Sequence, residues 1–164
     1  MNPLLSRLQP YPFERLRQLF EGVAPNPALR PISLGIGEPK HATPRFIQDA
    51  LAGDLATGLA SYPPTAGSPA LRTACADWLQ RRYGVAVDPS TQVLPVLGSR
   101  EALFALAQTV VDRARPGATV VCPNPFYQIY EGATVLAGAA PHFVTVDPAR
   151  NFAPRWAEVP EAVW

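Results

Sequence analysis

The sequence has few charged residues, and this shortage together with its apolar content excludes several classes of protein. Charged residues make up 16% of 164 residues and the formal net charge is +1, so no basic excess exists to neutralise a nucleic-acid backbone. Apolar residues reach 48%, which excludes a disordered tail, because such tails are poor in apolar groups. No apolar run approaches the roughly 18 residues that span a bilayer, and Met1 to Gln9 lack a signal-peptide pattern.

Cysteine and histidine are scarce as well, which argues against metal and triad chemistry. Cys75 and Cys122 form no CxxC pair and have no ligand at metal spacing, so we expect two reduced, buried thiols in a cytoplasmic protein and no metal. His41 and His142 share no obvious partner, and no nucleophile-elbow sequence is present. We expect both histidines to be structural or exposed. Lysine occurs once, at Lys40.

Proline and glycine divide the first half of the chain. Proline supplies 20 residues, well above the usual share of about 5%, and residues 1–30 are predicted to form an irregular arm with one helical patch over 13–20. A helix is predicted to start at Thr43-Pro44 and to stop at Gly53. The strongest helix signal starts at Ser68-Pro69 and ends near Gly84. Its expected inward face consists of Leu71, Ala74, Cys75, Trp78 and Leu79.

The second half alternates between strand and helix patterns. The strands are predicted at 93–97, 118–122 and 141–146, and the helices at 99–113 and 126–136. This order predicts βαβ units, a parallel sheet and an α/β fold. Residues 147–164 show no periodic element, and the sheet would keep an open edge. We therefore expect the chain to be the front part of a larger α/β domain.

Two loops carry groups that could bind a ligand. In Leu97-Gly-Ser-Arg-Glu-Ala-Leu-Phe104 a strand turns into a helix, whose free N–H groups form an anion site together with the Ser99 hydroxyl and the Arg100 cation. The alternative is a plain helix cap. Pro123-Asn-Pro-Phe-Tyr127 follows a strand, where parallel sheets bind ligands, and Tyr127 could present a flat ring. The alternative is an aromatic side chain packed under the loop.

Two earlier loops are less specific. Leu34-Gly-Ile-Gly-Glu-Pro-Lys40 has two glycines that allow close backbone approach to a ligand, but it lacks the G-x-G-x-x-G spacing of dinucleotide sites. A simple turn is the alternative. Ser61-Tyr-Pro-Pro-Thr-Ala-Gly67 is a rigid loop that holds Tyr62 in place.

Taken in order, these four motifs resemble the class I/II aminotransferases, fold type I enzymes that use pyridoxal 5′-phosphate (PLP). Within that family, the residues of the four motifs are most similar to those of the succinyldiaminopimelate aminotransferases of bacterial lysine synthesis. The resemblance implies a division into residues 1–30, an N-terminal arm or small-domain segment, and residues 31–164, an incomplete PLP-binding large domain preceding the family's later elements.

The resemblance also implies a role for each matching residue. Ser99 and Arg100 would hold the cofactor phosphate, Tyr127 would stack on the pyridine ring, and Gly37 would contact the substrate carboxylate. Tyr62 would reach the cofactor phosphate of the neighbouring subunit, since the family is dimeric. The implied reaction moves an amino group between glutamate and a keto acid. The sequence also leaves two other functions open: another fold type I enzyme such as a C–S lyase, and a non-catalytic module that keeps only the phosphate cradle.

The chain departs from the family at the catalytic lysine. Lys40 is the only lysine and lies in the glycine loop, where the family has no Schiff-base residue. We therefore predict that this chain alone does not transaminate, since a lysine is needed to bind the cofactor covalently and move the proton. Titration with PLP should show no stoichiometric visible band of a lysine-bound cofactor; such a band would contradict the prediction.

The open sheet edge leads to a second prediction. The open edge would expose apolar side chains to water, among them Val120, Val121, Val144 and Val146. The chain expressed alone should therefore aggregate or behave as a molten globule. Size-exclusion chromatography and thermal denaturation test this. A sharp cooperative melt of a monomer would contradict it.

Overall fold

The computed structural model describes all 164 residues and has an α/β architecture, as predicted. Its helices and strands are α1 (Pro12–Leu19), α2 (Arg45–Gly58), α3 (Pro69–Tyr83), α4 (Ser99–Val110), β1 (Thr119–Asn124), α5 (Ile129–Leu136), β2 (Ala140–Asp147) and β3 (Ala153–Pro154). The residues fall into two compact units: Met1–Gly22 with Val96–Trp164, and Val23–Pro95. We call them the sheet unit and the helical unit. None of the helices combines the length and the apolar character that a bilayer crossing requires.

The sheet unit is built on one βαβ crossover. Strands β1 and β2 pair in parallel, from Thr119 opposite Ala140 to Asn124 opposite Thr145, and α5 connects them while packing against α4. The turn from α5 into β2 is short because Gly138 adopts φ 89°. Its N–H bonds to the Val135 carbonyl, and the N–H of the next residue bonds to that of Thr134. This is a Schellman turn, which requires a left-handed residue.

The core of the sheet unit is small and consists mainly of short side chains. Its buried residues are Cys122, Ala133, Thr134, Val135, Ala137, Ala139, Val144 and Val159. Short side chains on α5 let the helix approach the strands closely. Around this core, Arg155 closes the β2–β3 hairpin by pairing with Asp147 at 2.5 Å and with Glu158 at 2.9 Å.

Helix α3 in the helical unit follows its sequence signals at both ends. The Ser68 hydroxyl accepts the Leu71 N–H at 3.2 Å, and Gly84 ends the helix at φ 68°. Arg72 then ties the helix to the following loop by donating to the carbonyls of Val93, at 3.0 Å, and Ser90. These contacts hold α3 although few of its side chains are buried.

Several predicted boundaries are wrong. Helix α2 continues through Gly53 to Gly58, because glycine inside a helix costs only about 1 kcal/mol relative to alanine. Residues 93–97 form no strand, since Pro95 has no N–H and Arg72 takes the Val93 carbonyl. The sheet thus has two parallel strands plus a two-residue antiparallel β3, rather than three parallel strands.

The prediction of burial is also wrong in places. On α3 only Ala76 is buried, while Trp78 of the expected inward face stays 49% exposed and Cys75 is half-buried. Val144, expected to be wet, is 8% exposed, because β2 is covered by α5 and the C-terminal residues. Apolar side chains of α4 and β1 line an open groove of about 400 Å³, among them Leu103, Leu106, Val110, Val120 and Val121.

Two glycines in the helical unit should respond in opposite ways to alanine. Gly67 has φ 80°, and a Cβ there would lie 2.6 Å from Pro95 Cγ, so Gly67→Ala should destabilise by about 1–3 kcal/mol. Gly53 is helical with open space around it, so Gly53→Ala should stabilise by about 0.5–1 kcal/mol. Because no sharp melt is expected of this chain, the variants are ranked against the wild type by the temperature at which half of the far-UV circular dichroism signal is lost, at low protein concentration. Equal midpoints for the two variants would contradict the assignment.

Candidate functional site

The candidate site lies at the start of α4 in the sheet unit. Gly98 is the residue before the helix, with extended backbone at φ −171° and ψ 141°, and the first helical hydrogen bond runs from the Ala102 N–H to the Gly98 carbonyl at 3.1 Å. The N–H groups of Ser99, Arg100 and Glu101 therefore donate to no acceptor in the chain. Free donors and the positive end of the helix dipole form an anion-binding site.

The side chains around this helix end add polar groups to the donors. Ser99 is exposed, and its hydroxyl makes no hydrogen bond within the chain. Glu101, in the first turn, folds back over Gly98, where a Cβ on residue 98 would collide with its Oε2. The helix end thus has one hydroxyl and three amides for an anion, with a carboxylate beside them.

Arg100 and Tyr127 are brought together although they are far apart in sequence. Arg100 Nε donates to the Tyr127 hydroxyl at 2.7 Å, and the guanidinium lies 5.7 Å from the centre of the ring. This hydrogen bond is the main cause that holds the pKa of Arg100 above its ordinary value, with a smaller contribution from the Tyr11 hydroxyl. Like any arginine, Arg100 carries its positive charge at physiological pH, and its hydrogen bond to Tyr127 sets its position.

Tyr127 lies in the loop between β1 and α5, which starts with a cis Asn124–Pro125 peptide bond. The Tyr130 ring meets Tyr127 edge to face at 5.9 Å between ring centres. Phe126, the residue before it, stacks on Phe143 of β2 at 4.8 Å. The loop is therefore anchored by aromatic contacts on either side of Tyr127, and the helix end and the aromatic ring predicted from separate motifs form one cluster.

The other two predicted residues, Tyr62 and Gly37, lie in the helical unit. Tyr62 is 96% exposed, and Gly37 has no atom within 4 Å of a Cβ built on it. Lys40, close to Gly37 in sequence, pairs with Glu38 at 2.6 Å. Tyr62 and the backbone of Gly37 are thus both accessible at the surface of the helical unit.

Sequence reasoning missed two residues that bear on the cluster, Glu101 beside it and Tyr11, which contributes to the raised pKa of Arg100. The motif around Ser99 predicts no role for Glu101, although an acidic residue three positions after the cap is a known helix-start signal. Tyr11 lies in the N-terminal arm, and no local pattern connects it to Arg100. No group of three or more His, Cys, Asp or Glu side chains is arranged to hold a metal ion.

Comparison with known proteins places the cluster in context. The family model "Aminotransferase class I and II" matches residues 30–163. An LL-diaminopimelate aminotransferase of Desulforudis audaxviator is 40% identical over 95% of this chain and 39% of its own length. One from Moorella thermoacetica is 34% identical over 97% of this chain and 40% of its own. The chain thus spans about two fifths of the length of these relatives.

Solved structures agree with the family match. An aminotransferase from Neisseria meningitidis superposes with a TM-score of 0.89 at 50% identity, covering 100% of this chain and 42% of that one. The N-succinyldiaminopimelate aminotransferase from Mycobacterium tuberculosis gives a TM-score of 0.63 at 36% identity, covering 70% of this chain and 29% of that one. These likenesses extend the agreement from sequence to three-dimensional fold.

Proposed function

Because the chain belongs to the class I and II aminotransferase family, whose members use pyridoxal 5′-phosphate, we propose that it supplies the phosphate-binding part of a PLP-dependent aminotransferase. The start of α4 carries this proposal. Three N–H groups without an acceptor and the free Ser99 hydroxyl match the oxygens of a phosphate dianion. The residues present therefore fit the phosphate of PLP.

Tyr127 and Arg100 would hold the remainder of the cofactor. Tyr127 supplies a flat aromatic face beside the phosphate donors, and Arg100 fixes the orientation of that ring through the 2.7 Å hydrogen bond. The guanidinium also adds a positive charge near the anion site. When bound, the pyridine ring of PLP supplies an electron sink for the amino-acid carbanion. The residues of this chain would bind the cofactor and orient its ring.

The residues of the helical unit are proposed to act in a homodimer. Tyr62 stands out from a loop stiffened by Pro63 and Pro64, and its nearly full exposure leaves it free to reach the cofactor phosphate bound by a second copy. The backbone of Gly37, open on its surface, is proposed to contact the substrate carboxylate. Both roles come from the family resemblance.

The proposed substrates are N-succinyl-LL-2,6-diaminopimelate and its keto counterpart, with glutamate and 2-oxoglutarate as the amino donor pair. The names of the relatives support a diaminopimelate skeleton. We also propose the division into an arm segment (1–30) and a PLP-binding large domain (31–164). The free thiols of Cys75 and Cys122 support a cytoplasmic location, where thiols stay reduced.

Removing the Ser99 hydroxyl tests the proposed site. Hydrogen bonds to a charged group contribute about 1.5–3 kcal/mol, so Ser99→Ala should weaken PLP binding about tenfold or more. Equilibrium dialysis measures the affinity. Pyridoxal, which lacks the phosphate, should bind the two proteins equally.

The matched control is Thr109→Ala, which removes a hydroxyl near the other end of α4, where it bonds to the Ala105 carbonyl. This variant should bind PLP like the wild type. If Ser99→Ala left PLP affinity unchanged, or if it weakened pyridoxal binding to the same extent, the phosphate site would not be at α4.

A further inference from the structure

The space above Gly98 is taken by the carboxylate of Glu101. A Cβ built on Gly98 would collide with Glu101 Oε2 and lie 3.5 Å from its Cδ. The φ of Gly98, −171°, is open to any residue, and the atom that a Cβ would meet is the end of a flexible side chain, so the contact reports where the Glu101 carboxylate lies. The carboxylate of Glu101 is therefore folded back toward the residue that precedes its own helix.

This arrangement resembles half of a capping box, but no hydrogen bond joins the Gly98 N–H to the Glu101 carboxylate. In the full motif, a serine or threonine before the helix accepts the N–H of the third helical residue, while the acidic side chain of that residue folds back. Gly98 has no side chain to accept a first-turn N–H, so neither hydrogen bond of the motif forms. The N–H groups of Ser99, Arg100 and Glu101 stay without acceptors, and the carboxylate supplies the negative charge that a helix start favours.

A phosphate bound at this helix end would meet that carboxylate. A phosphate group carries roughly −1.5 to −2 charges at neutral pH, and it would use the same positive end of α4. Arg100, the preceding residue, is already hydrogen-bonded to Tyr127 and forms no ion pair with Glu101. The carboxylate must swing away or repel the ligand, and either one lowers phosphate affinity.

We propose that Glu101 is an affinity-determining residue of the phosphate site, because its carboxylate competes with the phosphate for the start of α4. The proposal rests on the proposed function, which places the phosphate of PLP at that helix end. The charge on residue 101 then sets how tightly the cofactor phosphate is bound, without contact between this residue and the cofactor ring. A neutral side chain of the same shape would relieve the competition.

The test compares binding of inorganic phosphate and of PLP to the wild type, Glu101→Gln and Glu101→Ala by equilibrium dialysis. Like-charge repulsion at an exposed site is worth roughly three- to tenfold in affinity, so both variants should bind both probes that much more tightly. The gain should shrink at high salt, because salt screens exposed charges. Far-UV circular dichroism checks that the variants keep the helix content of the wild type.

Glu131→Gln is the control, since it neutralises an acid in the first turn of α5 and should leave both affinities unchanged. Equal or weaker binding by Glu101→Gln and Glu101→Ala would overturn the role of Glu101, while Ser99-dependent binding by the wild type would keep the proposed function. Absence of Ser99-dependent binding in every protein would overturn the proposed function and the role of Glu101 with it.

Discussion

Gly98 has no side chain, and the candidate site depends on this. A serine or aspartate before α4 would accept one of the free N–H groups and close the helix start. Glycine leaves the amides of Ser99, Arg100 and Glu101 unpaired. A helix start without a capping side chain is less stable, and the three open donors are the groups that the proposed phosphate site would use.

The βαβ crossover determines where the aromatic residue of the site, Tyr127, lies. Strand β1 ends at Asn124, and the loop that follows carries Tyr127 before the chain enters α5. Because α5 packs against α4, this loop comes next to the first turn of α4, and Arg100 can reach the Tyr127 hydroxyl. The short Schellman turn at Gly138 then returns the chain to β2, which keeps the unit small.

Local signals predicted the helices better than the strands. Ser68, Pro69 and Gly84 marked the ends of α3 because capping is a property of neighbouring residues. The segment 93–97 had the apolar content of a strand, but a strand needs a partner, and no segment in this structure pairs with it. Burial was the least predictable feature, since Trp78 has the spacing of a core residue yet stays half exposed.

The sequence by itself determined the helix starts, the glycine turns and the ordered motifs that carry the family resemblance, since these depend on residues close together in the chain. Tertiary structure decided that Arg100 bonds to Tyr127 and that Phe126 of the same loop stacks on Phe143 of β2. Contacts of this kind join segments separated by many residues. They form only when packed helices and strands bring those segments within hydrogen-bonding distance, and no local periodicity encodes that distance.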